Sequence, residues 1–170
     1  MLIRTAQPAD WPAIAAIYQQ GIDTGNASFE SRAPEPDNMA TNYLATPRLV
    51  AETDSDNTTE PRRIAGYALL SATSGRCVYG GVAEVSIYVG HEFRGQGVGR
   101  LLLTELVRQS EEQGLWTVQA GIFPENRASI ALHLACGFRE VGYREKLGKH
   151  QNGIWRDVLL LERRSKTVGQ

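Results

Sequence analysis

A strand-like run, Glu84-Val-Ser-Ile-Tyr-Val-Gly90, passes through a short polar loop into Arg94-Gly-Gln-Gly-Val-Gly-Arg100 and then into a helical pattern. A side chain would keep a phosphate away from the backbone, so Gly95, Gly97 and Gly99 suit a turn whose N–H groups point at anionic oxygens. The helix that follows adds the positive end of its dipole at the same point. A plain tight turn reads the same way in isolation. Three companions separate the two readings: the preceding strand is rich in β-branched residues, arginines flank the turn, and Asn126-x-x-Ser129 and Gly137-Phe138 follow about one strand and one helix later. A P-loop would need Gly-Lys-Ser/Thr, and here Gly99 is followed by Arg100 and Leu101. The dinucleotide fingerprint G-x-G-x-x-G is also unmet, because the spacing is G-x-G-x-G.

The remaining segments supply a sheet and helices around this unit. Leu2 to Ala6 alternates as a strand, and Asp10 is placed to cap a helix with Pro12 in its first turn and Ile14, Ile17 and Tyr18 on its apolar face. Asn26 to Asp37 reads as a loop around Phe29, with a short helix from about Asp37 to Leu44. Leu49 to Glu52, Ile64 to Ser71 and Ala83 to Val89 are strands, and Thr53 to Arg63 is a polar hairpin loop. Val98 to Gln113 is the clearest helix, with Val98, Leu102 and Leu106 in line, Leu101 and Val107 widening the stripe, and Gly114 as the stop. Trp116 to Ile122 is a strand and Asn126 to Cys136 a helix stopped by Gly137. Phe138 to Leu147 and Gly153 to Glu162 make a terminal pair of strands. The order predicts an α/β fold with a mixed sheet flanked by helices, in one domain over residues 1–164, with a frayed tail over 165–170.

Composition narrows the function classes. With 170 residues, 42% of them hydrophobic, the chain can bury one core. A net charge of −1 lacks the broad basic field of a nucleic-acid binder. The two cysteines, Cys77 and Cys136, suit buried thiols in a reduced compartment better than a disulfide framework. Met1-Leu-Ile-Arg-Thr-Ala starts as a strand without a signal-peptide core, and no apolar run reaches membrane length, so a soluble cytoplasmic protein with no membrane partner is expected.

The run R-x-x-G-x-G from Arg94 to Gly99 resembles the acyl-CoA pyrophosphate loop of the GNAT N-acetyltransferase superfamily, and the element order resembles that superfamily over nearly the whole chain. Within it, Ala83-Glu-Val-Ser-Ile-Tyr-Val89, Asn126-Arg-Ala-Ser129, Leu132-His133, Gly137-Phe138 and Trp155-Arg-Asp-Val158 are similar to the phosphinothricin, methionine sulfoximine and arsinothricin acetyltransferase group. The resemblance implies a GNAT fold whose sheet splays to admit acetyl-CoA between the strand carrying Glu84 and that of Trp116 to Ile122. Backbone groups of Ile87, Tyr88 and Val89 would pair with the pantetheine, and Arg94, Gly95, Gln96, Gly97, Val98, Gly99 and Arg100 would hold the pyrophosphate. Asn126 and Ser129, a turn apart, would bind the pantetheine or phosphate arm. Asn126 also fits as a plain N-cap, and the two roles can coexist.

The implied reaction needs a neutral amine, hence a base, and no metal. Glu84 is the charged residue of an otherwise apolar strand, with Ser86 and Tyr88 on its face. A solvent-facing carboxylate at a strand edge also satisfies that pattern, but the family uses the matching glutamate as the base. An N–H near Val89 would stabilise charge on the acetyl oxygen. His133 stands where much of the superfamily has a proton-donating tyrosine, and a packed helix histidine is the competing reading. For the acceptor, the resemblance points to Phe29 and Glu30 in the loop after the first helix. Arg76 and Tyr79 precede the catalytic strand, and Lys149 and Trp155 lie in the terminal hairpin, where the family often shapes its pocket across a homodimer interface. A surface lysine and a core tryptophan are the bland alternatives for the last two. Many relatives in this group carry an arginine four residues before the glutamate; here that position is Gly80. The expected activity is therefore acetyl transfer to the α-amino group of a small amino-acid-like acceptor, including toxic analogues whose acetylation confers resistance. The alternatives are a protein or peptide acetyltransferase and a non-catalytic acetyl-CoA binder.

Overall fold

The computed structural model describes residues 1–54, 62–150 and 152–170. In chain order it contains β1 (Leu2–Thr5), α1 (Trp11–Asp23), α2 (Pro36–Met39), β2 (Arg48–Glu52), β3 (Ile64–Ala72), β4 (Val82–Val89), α3 (Val98–Glu112), β5 (Thr117–Ile122), α4 (Arg127–Ala135), β6 (Arg139–Lys149) and β7 (Trp155–Arg164). Residues 55–61 of the expected polar hairpin loop lie outside the described residues.

The strands form one sheet in the order β1-β2-β3-β4-β5-β7-β6. Neighbours run antiparallel except β4 and β5, which are parallel and are joined by the crossover helix α3. Strand alternation then divides the core. Ala68 and Leu70 of β3 pack with Leu102, Leu103 and Leu106 of α3 on one face, while Tyr67 and Leu69 pack with Trp11, Ile14 and Ile17 of α1 and Met39 of α2 on the other. Burial on both faces explains why β3 reads as a continuous apolar run.

Three local expectations are corrected. Leu101 is half exposed and Leu103 is fully buried in its place, because the buried stripe of α3 turns toward β2 and β3 rather than toward solvent beside the glycine turn. Asp10 does not cap α1 with its side chain. Its carboxylate accepts from the Gln7 N–H at 2.7 Å and pairs with both terminal nitrogens of Arg4 at 2.7 and 2.9 Å, tying α1 back to β1, and the Arg4 guanidinium holds it below the usual carboxylate range. The segment after β7 does not fray. The Ser165 N–H donates to Trp116 O at 2.8 Å, Arg164 reaches the carbonyls of Trp116, Ser165, Val168 and Gly169, and Ser165 is buried.

Candidate functional site

The site follows from an unequal ladder. β4 pairs with β3 along its whole length, from Ala83↔Ala72 to Val89↔Gly66. On its other side it pairs with β5 only at Val82↔Thr117, Ala83↔Val118 and Glu84↔Gln119, while β5 continues along β7 to Ile122↔Leu159. The sheet therefore splits at Glu84 and leaves the β5-side edge of Val85 to Val89 without a strand partner. Unpaired backbone donors and acceptors in a cleft are a template for an extended, amide-containing ligand. A cleft of about 930 Å³ occupies the split, reaching from Arg94, Gly97 and Arg100 at one end to Glu84, Ser71, Tyr43 and Glu30 at the other.

At the first end the chain turns through left-handed residues Gly95 (φ 75°) and Gly97 (φ 80°) into α3. No side chain caps this helix, so its first N–H groups face the cleft without a side-chain acceptor. A Cβ at Gly95 or Gly97 would meet nothing within 4 Å, so the space beside the turn is open to a ligand. Gly99 differs: it is already inside α3, where it lines the same end of the cleft, and a Cβ there would also lie 3.1 Å from Leu132 of α4. Arg94 and Arg100 line this end, with Arg94 Nε donating to Val89 O at 3.3 Å. Gln96 is turned the other way, its amide donating to Glu92 O at 2.7 Å. Arginines beside free helix amides form an anion site suited to a pyrophosphate.

At the other end Glu84 is exposed, and its Oε2 accepts from Gln119 Nε2 at 3.1 Å. Gly121, the next residue of β5 on this face, leaves room beside the carboxylate: a Cβ there would stand 4.0 Å from Oε1. Ser86 and Tyr88 follow Glu84 on the same face. Tyr88 stacks on Tyr67 at 5.5 Å, meets Tyr18 edge-on at 4.9 Å and donates its hydroxyl to Ala27 O at 2.8 Å. Burial pushes the Tyr18, Tyr43 and Tyr88 hydroxyls up, so all three are neutral donors at ordinary pH. Glu30 lies in the same chamber, so its wall holds two carboxylates and several hydroxyls.

Asn126 does both things expected of a polar group at the start of α4, but with protein partners. Its Oδ1 accepts from Ser129 N at 3.2 Å as an N-cap, and its Nδ2 donates to Asn26 O at 3.1 Å. His133 is almost wholly buried, and its Nδ1 lies 2.8 Å from Ser129 O. A carbonyl only accepts, so Nδ1 carries the proton and Nε2, buried without a partner, is a bare acceptor. Burial holds this imidazole below its usual 6.5. In that state it cannot donate from Nε2, which opposes the proton-donor role the sequence suggested. A depressed histidine pKa binds fewer protons folded than unfolded, so stability is full above 6.5 and is lost as pH falls through the folded value. Melting temperatures measured from pH 7.5 to 5 should therefore fall more in the wild type than in His133→Gln; equal slopes would show that another group titrates.

Four expected acceptor residues lie outside the cleft of a single chain. Arg76 sits over the Tyr79 ring at 5.7 Å on the turn before β4, and Lys149 and Trp155 face solvent from β6 and β7. Trp155 is 55% exposed, so it is not a core tryptophan either. The sequence reading missed Tyr43, Ser71 and Gly121: strand register places Ser71 opposite Glu84 and Gly121 two residues beyond Gln119, while Tyr43 reaches the cleft from the segment before β2, and none of these carries a local motif. Among the described residues no cluster of three His, Cys, Asp or Glu could hold a metal ion.

The profile of the Acetyltransferase (GNAT) family matches residues 16–138. The chain belongs to this family. It is 34% identical to phosphinothricin N-acetyltransferase of Alcaligenes faecalis over 167 residues, covering 95% of this chain and 81% of that protein. Among solved structures, a ribosomal-protein-alanine N-acetyltransferase from Brucella melitensis matches with a TM-score of 0.85 and 31% identity, covering 97% of this chain and 100% of the other. A GNAT superfamily phosphinothricin acetyltransferase from Sinorhizobium meliloti, in complex with AcCoA, matches with a TM-score of 0.82 and 33% identity over 96% and 87% of the two chains. The splayed sheet is thus that of an acetyl-CoA-dependent N-acetyltransferase.

Proposed function

We propose that this chain acetylates the α-amino group of a small amino-acid-like acceptor of the phosphinothricin, methionine sulfoximine or arsinothricin type. One observation carries the reading: Glu84 stands where β4 and β5 part, between a strand edge without a strand partner that suits pantetheine and a chamber of carboxylates and hydroxyls. Bound acetyl-CoA supplies an activated acetyl thioester. The turn at Gly95 and Gly97, with Arg94 and Arg100, holds the pyrophosphate, and the free edge at Ile87, Tyr88 and Val89 holds the arm. Glu84 takes the proton of the acceptor ammonium, directly or through one water. A free N–H of the β4 edge near Val89 bears the charge that develops on the acetyl oxygen. The leaving thiolate is protonated from solvent, since His133 offers no proton at Nε2.

The chamber also bears on which acceptor is used. Glu30 and Glu84 favour an ammonium between them and oppose a second anionic group on the acceptor. Methionine sulfoximine should therefore be used at least as well as phosphinothricin. Removing one nearby charge is worth about 1 kcal/mol, roughly fivefold, so Glu30→Gln should move the ratio of kcat/KM toward phosphinothricin by that factor. Kinetics on the two acceptors, read as free-thiol release, checks this; a strong wild-type preference for phosphinothricin would place a cation in the chamber. Acetylation of a protein N-terminus is the second reading, favoured by the likeness to the Brucella enzyme and opposed by the loop that roofs the cleft.

We further infer a cytoplasmic homodimer formed through the turn before β4 and the terminal hairpin, where Val78, Tyr79, Tyr143, Ile154 and Trp155 are all exposed. In a two-fold dimer the turn of one chain can meet the hairpin of its partner, so the two regions need not adjoin within a chain, and exposed apolar side chains are where such an interface forms. It is also the means by which Arg76, Tyr79, Lys149 and Trp155 would reach a cleft, and it fits a resistance enzyme built from one domain that takes in the packed segment after β7. Light scattering should give twice the chain mass for the wild type and the single mass for Trp155→Glu.

A further inference from the structure

Three consecutive carbonyls of the loop after α1 are each given to a different element around the cleft. Gly25 O accepts from Arg156 Nη1 of β7 at 2.9 Å, Asn26 O from Asn126 Nδ2 at the start of α4 at 3.1 Å, and Ala27 O from the Tyr88 hydroxyl of β4 at 2.8 Å. Arg156 does most of the fastening. Its Nη2 also reaches Asn26 Oδ1 at 3.0 Å and Glu125 Oε2 at 3.0 Å, and the guanidinium lies 4.1 Å over the Phe123 ring. Phe123 in turn meets Phe29 edge-on at 4.8 Å, and Phe29 rests on Gly148 of β6, where a Cβ would be 2.7 Å from the ring.

We propose that Arg156 is a positioning residue of the transfer site, strapping the loop over residues 25–29 across the acceptor end of the cleft. Side-chain burial agrees with this: Arg156 is 16% exposed between two solvent-facing neighbours, Trp155 and the Glu125 with which it pairs. Only a planar fork can bond two loop acceptors, pair with a carboxylate and stack on an aromatic face at once; a lysine ammonium can replace the charge but not the set. The strap acts in two ways. It holds Phe29 and Asn126 at the mouth of the cleft, and it narrows the approach to Glu84, so that a positioned amine competes better than water for the thioester.

The inference rests on the cleft being an acetyl-transfer site, so its test has one arm that needs no turnover. In Arg156→Ala, amide hydrogen exchange over residues 25–29 should rise by at least tenfold, with β3 and β4 unchanged; Arg156→Lys, which keeps the charge and the fold, should show most of the same rise. In turnover, the KM for methionine sulfoximine should rise roughly ten- to a hundredfold in both variants. Acetyl-CoA affinity measured by calorimetry should stay within about threefold. Thiol release without an amine, in which water attacks the thioester to give acetate and free CoA, should increase relative to acetyl transfer. Unchanged exchange over 25–29 in either folded variant, or an Arg156→Lys enzyme with the wild-type KM, overturns the strap. A wild type that releases no thiol with any amine overturns the acetyl-transfer reading instead, and the exchange measurement still decides the strap.

Discussion

Glu84→Gln is expected to lower kcat by roughly 10²- to 10⁴-fold, the usual contribution of a positioned general base, while leaving acetyl-CoA affinity within a few-fold of the wild type. The separation of the two effects follows from geometry. The cofactor arm would use the backbone edge of Val85 to Val89 and the turn at Gly95 and Gly97 rather than the Glu84 side chain. The carboxylate stands beside Gly121 and in contact with the Gln119 amide at 3.1 Å, at the acceptor side of the split. Glutamine has the same shape, can keep a hydrogen bond to Gln119 and preserves the pairing of Glu84 with Ser71 in β3, so the change removes the proton acceptor and little else. Steady-state kinetics across pH 6 to 9, with calorimetric acetyl-CoA binding on the same preparation, decides the matter. A Gln variant with near wild-type turnover throughout would move the base elsewhere, and Glu30, the other carboxylate of the chamber, would be next.

What was legible in the sequence was whatever is written locally. The period of Val98, Leu102 and Leu106, the alternation of Glu84, Ser86 and Tyr88, and the glycines of the turn each fix a face or a backbone state within a few residues, and the element order needed nothing more. What was not legible depends on partners far apart in the chain. Arg156 and Gly25 are 131 residues apart, and nothing in Trp155-Arg-Asp-Val158 says that the arginine bonds the first loop. Asp10 carried the signature of an N-cap, yet an arginine on the neighbouring strand offered a stronger bond. Gly99 lines the cleft with Gly95 and Gly97, but spacing did not show that it also packs closely against Leu132. Arg76, Tyr79, Lys149 and Trp155 were placed by family likeness alone, and in a single chain none of them lines the cleft. Any role for them at a cleft would need a second copy, which no pattern within one chain describes.

The turn itself permits a sharper test than its pattern did, because its glycines no longer stand alike. Gly97 holds φ 80° and ψ 0° at the N-cap of α3, and its carbonyl accepts the first helical bond from Leu101 N at 3.1 Å. A β-branched side chain is a steric outlier in this region, and the left-handed state costs an ordinary residue roughly 1–2 kcal/mol. Gly97→Val should therefore lower the melting temperature by only about 2–8 °C for a chain of this size, leaving it folded. Its main effect should be on the cofactor: the added side chain fills the open space where the pyrophosphate would meet the helix amides, and acetyl-CoA affinity should fall by roughly ten- to a hundredfold, the loss of one or two charge-assisted hydrogen bonds. Gly97→Asn separates strain from obstruction, since asparagine tolerates left-handed backbone but still projects a side chain into that space. It should regain most of the thermal stability and little of the affinity. Gly99→Val should in addition unfold earlier than Gly97→Asn, because its Cβ presses on Leu132 between α3 and α4. If the Val and Asn variants at Gly97 both bind acetyl-CoA as the wild type does, the free amides at the start of α3 are not the anion site, and Arg94 and Arg100 must hold the pyrophosphate from their side chains alone.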